Sequence, residues 1–198
     1  MLGDGYHDIP LGKLAAVVTY LEMTSPAPLR PAPEIAGTEI RRVNTPNVDW
    51  YRDLFSRVGT REWLWLSRMD LSKIALAEIL NDSKVKCYAM RYQGRDEALL
   101  ELDFRQPQAC EIAFFGTTRT LIGTGAGRML MNQAIQTAWS EPIERLHVHT
   151  CTLDHPSALA FYQRSGFVPV RQQIEIADDP RADGTMSRDA GPHIPIFK

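Results

Sequence analysis

The chain of 198 residues has the length of one domain with short additions, and its hydrophobic fraction of 44% is enough to form a core. Its 22 lysines and arginines nearly balance 24 aspartates and glutamates, so the basic excess of a general nucleic-acid binder is absent. No stretch approaches the roughly 18 apolar residues of a membrane span, and the three scattered cysteines are typical of a protein of the reducing cytoplasm.

The first third of the chain contains two predicted strands and two predicted helices. Residues 13–23 and 38–43 have the patterns of strands, and the proline-rich segment 24–33 between them is predicted to be a semi-extended linker. Amphipathic helices are predicted over roughly 48–58 and 72–80.

The middle of the chain predicts an antiparallel meander of three strands, because its apolar runs are joined by short connections. These strands are expected at 85–92, 97–104 and 110–117. A glycine-rich turn and a helix that continues to about Ser140 follow, and the next strand, 145–151, completes a βαβ crossover with parallel strands.

The last predicted elements are a helix over 156–164, which ends at Gly166, and a strand over 167–176. The polar residues from Asp178 onward are predicted to form a tail that is ordered by contact with the domain. The fold class is therefore α/β, with a mixed, mostly antiparallel sheet of about seven strands flanked by helices.

We divide the chain into an N-terminal extension (1–33), a main domain (34–177) and a C-terminal tail (178–198). The extra strand in the extension is expected to extend the sheet, or to pair across a homodimer by adding a strand to its partner.

A glycine-rich run between the strand 110–117 and its helix is the strongest functional signal. Such a turn leaves backbone N–H groups free at the positive end of a helix, and the absence of Cβ atoms lets a phosphate approach closely. A P-loop is excluded because Arg128-Met129 replaces Lys-Ser/Thr after Gly127, and the preceding meander is not a Rossmann half. The alternative is a turn that only closes the corner between strand and helix. The run comprises Gly123, Thr124, Gly125, Ala126, Gly127 and Arg128.

Two motifs at this separation resemble the GCN5-related N-acetyltransferase (GNAT) superfamily. They are the run from Ile122 to Gly127 and the later Ala158-x-x-x-Tyr162-x-x-x-Gly166-Phe167. The resemblance is strong over roughly 110–170, is limited to the order of elements over 38–104, and does not extend to residues 1–30 or the tail. It implies the GNAT fold and acetyl-CoA as cofactor.

The resemblance also implies which residues hold the cofactor. Backbone amides of the glycine run, from Ile122 to Arg128, would bind the pyrophosphate, and Arg128 either adds a charge-assisted contact or is a solvated arginine of the first turn. Two residues depart from the family pattern: Ile122 replaces Gln or Arg, and His155 replaces an asparagine that contacts the pantetheine arm. The strand residues expected to bind that arm through main chain are Phe115, Gly116 and Thr117.

Acetyl transfer to an amine requires removal of a proton from the amine and protonation of the leaving thiolate. Tyr162 matches the family's thiolate-protonating tyrosine, with packing in a helix core as its alternative role. Glu111 matches the base of the histone-acetyltransferase branch. The alternatives are that ordered water is the base or that Glu111 forms a surface ion pair.

One predicted strand carries possible metal ligands at alternate positions, which are His147, His149 and Cys151. Packing of these side chains, with His149 near the amine, is favoured over a metal site. No metal ligand is assigned.

The predicted helical region after residue 47 is rich in aromatic residues that could form an acceptor wall or pack in the core. They are Trp50, Tyr51, Phe55, Trp63 and Trp65.

The sequence predicts an enzyme that transfers an acetyl group from acetyl-CoA to a primary amine by direct attack in a ternary complex. The acceptor is a small molecule or a peptide, not a nucleic acid or a membrane. The alternative is a catalytically silent acyl-CoA-binding or regulatory module on the same fold.

Overall fold

The structure is a computed structural model that describes residues 3–197. Five helices surround one sheet: α1 (Val48–Phe55), α2 (Arg61–Trp63), α3 (Lys73–Leu80), α4 (Ala126–Trp139) and α5 (Ala158–Arg164). The strands are β1 (Lys13–Met23), β2 (Thr38–Val43), β3 (Val85–Tyr92), β4 (Arg95–Asp103), β5 (Ala109–Thr117), β6 (Arg145–Cys151) and β7 (Val168–Asp178).

The seven strands form a single sheet in the order β2-β3-β4-β5-β6-β1-β7. Every neighbouring pair is antiparallel except β5 and β6, which are joined through α4 and run parallel. The predicted mixed, mostly antiparallel sheet is therefore confirmed, and so is the βαβ crossover. No helix in the range 3–197 has both the length and the apolar character needed to cross a membrane.

The helical region after residue 47 is longer than the sequence predicts. The Asn47 side chain caps α1 by accepting hydrogen bonds from the N–H groups of Asp49 and Trp50. The helix does not stop near residue 58, because a π-helical turn (Ser56–Thr60) continues directly into α2. Gly59 in this turn has no side chain, and a Cβ there would lie 2.0 Å from the Trp65 ring. The wider turn thus lets an indole pack directly on the helix backbone.

The N-terminal strand β1 lies inside the sheet. It pairs with β6 on one side, where Tyr20 is opposite His149, and with β7 on the other, where Val17 is opposite Ile174. The strand therefore adds to the sheet of its own chain, and the alternative of pairing across a dimer through β1 is wrong because both of its edges are occupied. As a consequence, β7 becomes the edge strand. The boundary at residue 33 between the N-terminal extension and the main domain stays a prediction.

Two apolar clusters cover opposite faces of the sheet. One face packs against α4 and α5 through residues such as Leu100, Ile112, Leu130 and Val148, all of them buried. The other face packs against α1 and α3 through the residues Tyr51, Phe55, Leu76, Leu80 and Leu99. The side chains of β4 alternate between the two clusters, as the period of a strand requires. The sheet is thereby held between two helical layers at its centre.

The C-terminal tail is organised by one buried arginine. The Arg181 guanidinium forms an ion pair with Asp179 at 2.8 Å. It also donates hydrogen bonds to the carbonyl oxygens of Ala190, Gly191 and Ile194 at 2.8–3.1 Å. A guanidinium has five donors in a fixed plane, so it can close a polar segment into a compact unit without much apolar surface.

Replacement of Arg181 by methionine is expected to release the tail, because it leaves the Asp179 carboxylate buried without its partner. Removing one member of a buried ion pair costs about 3–5 kcal/mol. Hydrogen exchange of the amides from 182 to 197 should become markedly faster. Arg188→Met is the matched control, since Arg188 is exposed. Equal protection of the tail in both variants would contradict this role of Arg181.

Candidate active site

A cavity opens where the two parallel strands separate. β5 and β6 are paired only from Ala109 to Glu111 and from Arg145 to His147, although both strands continue well beyond. The space between the diverging strands is a cavity of about 890 Å³. Backbone groups of β5 that point away from β4 lack a partner strand there, and can bind a ligand through main chain.

The glycine-rich run forms one wall of this cavity at the start of α4. Gly123 and Gly125 have left-handed φ angles of 80° and 96°, which favour glycine. No side chain caps the helix at Gly125. Within residues 3–197, no acceptor is found for the backbone N–H groups of Gly123, Gly125 and Gly127. Because all three glycines line the cavity, the free donors and the helix dipole form a site suited to an anion.

Two arginines line the cavity near this turn. Arg128, predicted from the sequence, donates a hydrogen bond to the carbonyl oxygen of Pro31 at 2.8 Å. Arg30 was missed, because it belongs to a segment predicted only as a linker. The linker is held against α4 by Asn132, whose amide donates to the Arg30 carbonyl at 2.8 Å. The pattern of prolines gave no signal that this segment would carry a cation to the cavity.

The predicted cofactor-binding residues of β5 line the cavity. Phe115 stacks on Phe161 of α5 with their ring centroids 5.5 Å apart. Gly116 is required by packing, since a Cβ there would lie 2.6 Å from Val58. Thr117 ends the strand beside it, and the partly exposed Ile122 lines the cavity before the glycine turn.

Tyr162 is almost fully buried in the wall of the cavity. Its ring lies 6.1 Å from that of Phe115 and 6.0 Å from that of Phe167. Burial raises the pKa of this phenol well above its usual range. The hydroxyl is therefore neutral, and it can donate a proton to a strong base inside the cavity. Packing in the core and protonation of a thiolate, the two alternative roles of Tyr162 in the sequence analysis, are therefore compatible.

His155 lines the cavity and lies against Trp63, with ring centroids 5.2 Å apart. Its Nδ1 accepts a hydrogen bond from the Ser157 N–H at 3.1 Å. In the neutral ring the proton therefore resides on Nε2, which makes Nε2 a hydrogen-bond donor. His155 can therefore offer a hydrogen bond to the pantetheine arm, as is expected of the residue that replaces the family's asparagine.

Glu111 does not line the cavity itself but contacts a histidine that does. Its Oε1 lies 3.5 Å from Nδ1 of His149. The interaction with His149 lowers the pKa of Glu111, and the same interaction raises the pKa of His149. Glu111 is thus a carboxylate at neutral pH, and His149 is the group that can exchange a proton near neutrality.

The opposite part of the cavity is aromatic. Trp65 packs on Phe114 with ring centroids 5.4 Å apart, and its indole N–H donates to Asp154 Oδ1 at 2.9 Å. Trp63 and Trp65 line the cavity, whereas Tyr51 and Phe55 are fully buried in the core. The sequence alone could not show which of these rings line the cavity and which are buried in the core.

Residues from both ends of the chain complete the wall. Leu14 and Ala16 of β1, Glu175 of β7 and Pro180 of the tail all line the cavity, together with the carboxylate of Asp70. The tail also contributes His193, whose ring lies 5.2 Å from that of Trp63. The carboxylates favour a cationic ligand on this side. Within residues 3–197, no group of three or more His, Cys, Asp or Glu side chains is placed to hold a metal ion.

Comparison with known proteins gives a family match and a set of similar folds. The model described as Acetyltransferase (GNAT) family matches residues 45–167. A protein of unknown function from Staphylococcus epidermidis superposes with a TM-score of 0.59 at 14% identity over 83% of this chain. GCN5-related N-acetyltransferases from Sphaerobacter thermophilus and Kribbella flavida have TM-scores of 0.60 and 0.57, at 14% and 18% identity over 83% and 87% of this chain.

At these identities the structural matches establish the fold alone. The chain spans 62%, 52% and 63% of the lengths of these three proteins, in the order given. No curated protein matches the sequence.

Substitution of Gly125 by alanine is expected to weaken the binding of coenzyme A by about tenfold or more. The added Cβ would lie 2.3 Å from Cγ of Pro33, so the turn with its free N–H groups and the Pro33 segment beside it can no longer keep their positions together. Isothermal titration with coenzyme A measures the effect. Gly94→Ala is the control, because Gly94 also has a left-handed φ but no atom within 4 Å of its Cβ position. Equal affinities in the two variants would contradict a binding role for the turn.

Proposed function

Because the chain belongs to the GNAT acetyltransferase family, we propose that it is an acetyl-CoA-dependent N-acetyltransferase that acts on a primary amine. The observation that carries the proposal is the cavity between the diverging strands. Free glycine N–H groups lie on its wall, and a neutral buried phenol lies in the same wall.

The residues present fit acetyl-CoA. The N–H groups of Gly123, Gly125 and Gly127 suit a pyrophosphate, with Arg30 and Arg128 as nearby cations. The unpaired edge of β5 after Glu111 suits an amide-containing arm, which can add to a strand edge through main-chain hydrogen bonds. When bound, the cofactor supplies an activated acetyl thioester.

Direct attack by the amine is supported by the state of the cysteines. Cys151 is the one whose thiol lies on the cavity, and burial raises its pKa to about 11. Cys87 and Cys110 are buried in the core, where desolvation raises the pKa of both thiols further. A protonated thiol is a poor nucleophile. A ternary complex without an acyl-enzyme is therefore the mechanism we favour.

We assign proton removal from the amine to His149, held by Glu111. The imidazole lies on the cavity, while the carboxylate lies behind it at 3.5 Å and stabilises the imidazolium that forms. Tyr162 donates its phenolic proton to the departing thiolate sulfur. Both groups are in the protonation state that their step requires when the pH lies above the pKa of His149 and below the pKa of Tyr162.

The acceptor that this cavity suits is an amine with an apolar or aromatic body. Trp63, Trp65 and Phe114 offer ring faces and edges, and Asp70 and Glu175 attract an ammonium group. Small molecules and peptides both fit this description. We place the reaction in the cytoplasm, where free thiols such as those of this chain stay reduced.

Replacement of Tyr162 by phenylalanine is expected to lower kcat at least tenfold with little change in KM, since a general acid contributes about 10²–10⁴-fold. Thiol release from acetyl-CoA is measured over a panel of amines. Tyr88→Phe is the control, because it removes a phenolic hydroxyl from the same core cluster. No thiol release with any amine, despite a higher Tm with coenzyme A, would favour the catalytically silent acyl-CoA-binding module.

Replacement of Glu111 by glutamine is expected to move the acidic limb of the kcat/KM profile to lower pH. The hydrogen bond to the Glu111 carboxylate raises the pKa of His149 above the usual value of an imidazole, so without it the imidazole loses its proton at lower pH. The same amine is used in both profiles. Glu22→Gln is the control, since Glu22 pairs with Arg145 at 2.8 Å rather than with His149. An unmoved limb in Glu111→Gln would exclude His149 as the titrating base.

A further inference from the structure

The edge strand β7 is exposed along its whole length, on both faces of the sheet. Its back face, opposite the cavity, carries the apolar side chains of Ile174 and Ile176, which are 51% and 54% exposed. Val17 of β1, the cross-strand partner of Ile174, is 40% exposed beside them. A long apolar edge strand is a template for pairing with another strand, and natural sheets usually block such edges.

The other edge of the sheet is protected. β2 has only six residues and carries three charged side chains, Glu39, Arg41 and Arg42, in the sequence TEIRRV. Short length and charge are the usual means by which edge strands avoid association. β7 also carries three charged residues, Arg171, Glu175 and Asp178, but it is eleven residues long and exposes Ile174 and Ile176. Its length and its exposed apolar side chains therefore single it out as the edge that is open to pairing.

The direction of the backbone groups of β7 follows from one hydrogen bond. The N–H of Asp179 donates to the carbonyl oxygen of Gly12, directly beside the pair Lys13–Asp178. Because strand residues alternate in direction, odd-numbered residues of β7 bond to β1. Gln172, Ile174 and Ile176 therefore point their N–H and C=O groups to the free edge.

The sequence of β7 is complementary to itself in one antiparallel register. When Gln173 lies opposite its own copy, Arg171 of each strand lies opposite Glu175 of the other. Gln172 then lies opposite Ile174, and these two residues are among those whose backbone groups point outward. In this register the outward-pointing backbone groups can form hydrogen bonds between the strands, and opposite charges also face one another.

We propose that two copies of this chain pair through β7 around a two-fold axis at Gln173, which joins their seven-stranded sheets. Two symmetric Arg171–Glu175 ion pairs form on the front face of the joined sheet. On the back face, Ile176 of each strand then lies opposite Val170 of the other, while Ile174 lies opposite Gln172. Because Glu175 lines the cavity, the second copy brings its Arg171 to the rim of the acceptor side.

Moving the axis by one residue, which slides the partner strand by two, gives a less complementary register. With the axis at Gln172, Arg171 lies opposite Gln173, and Glu175 lies opposite Pro169. Neither charge then has a partner of opposite sign. Charge reversal can therefore test both the partner and the register.

The first experiment measures the dimer dissociation constant of the full chain by sedimentation equilibrium. Arg171→Glu and Glu175→Arg each place like charges opposite one another twice, so each should raise the constant by about tenfold or more. The double variant restores opposite charges and should return the constant towards that of the wild type. Arg42→Glu, on the protected edge, should leave it unchanged.

A wild-type protein that stays monomeric at its highest soluble concentration would overturn the proposal. So would a dimer that neither single variant weakens, because the interface would then lie elsewhere or belong to a different partner. Weakening in both single variants without recovery in the double variant would exclude this register. Thermal melting of each variant shows that it is folded.

A second experiment tests the axis without charge changes. Gln173→Cys places two thiols opposite each other in a pair that is not hydrogen-bonded, where the Cβ atoms lie near the short end of about 4.5–5.5 Å. A disulfide spans about 3.5–4.5 Å between Cβ atoms, so a small approach of the two strands is enough to form it. Mild oxidation should give a covalent dimer in that variant. Glu39→Cys on β2 and the wild type, with its native thiols, are the controls. Equal cross-linking in all three proteins would contradict the proposed axis.

Discussion

The separation of β5 from β6 is the constraint on which the site depends. Two parallel strands that stayed paired would satisfy each other and leave no cavity, yet these part after Glu111. Consecutive aromatic residues fix the position of β5 beyond this point, because Phe114 packs with Phe55 on one face and Phe115 with Phe161 on the other. The energetic cost is an unpaired strand edge. Such an edge is stable when water satisfies it, and it can also accept a ligand that offers polar groups at the spacing of a strand.

The two sides of the cavity have different origins in the chain. The glycine turn and the tyrosine of α5 lie within the segment 45–167 that matches the family, and they form the side suited to the cofactor. The acceptor side also draws on β1, β7 and the tail, which lie outside that segment. A single buried cation, Arg181, orders the tail against Leu64 and Trp63. In the proposed reaction, the choice of acceptor therefore depends on distant parts of the chain that must fold together before this wall exists.

The sequence predictions rest on the spacing of residues that are near one another in the chain. Features that depend on pairing between distant segments could not be predicted. The glycine turn, the sheet class and the helix that holds Tyr162 depend on residues a few positions apart, and their patterns are visible directly. The place of β1 depends on pairing Val17 with Ile174, which no local pattern reveals. Arg30 and Arg181 lie in segments without periodicity. Their roles follow only from the folded structure, in which the Arg30 segment packs on α4 and Arg181 binds carbonyl groups of its own tail. The roles of the site residues themselves stay predictions.

The interior place of β1 links the cavity to the exposed edge. By pairing with both β6 and β7, it widens the sheet and carries β7 beyond the cover of the helices. The front face of the added strands then extends the wall of the cavity, while the back face leaves Ile174 and Ile176 exposed to water. A monomer gains no stability from those apolar side chains, whereas a second copy of the strand would bury them. The arrangement that enlarges the acceptor side is thus the same one that makes an unpaired β7 unfavourable.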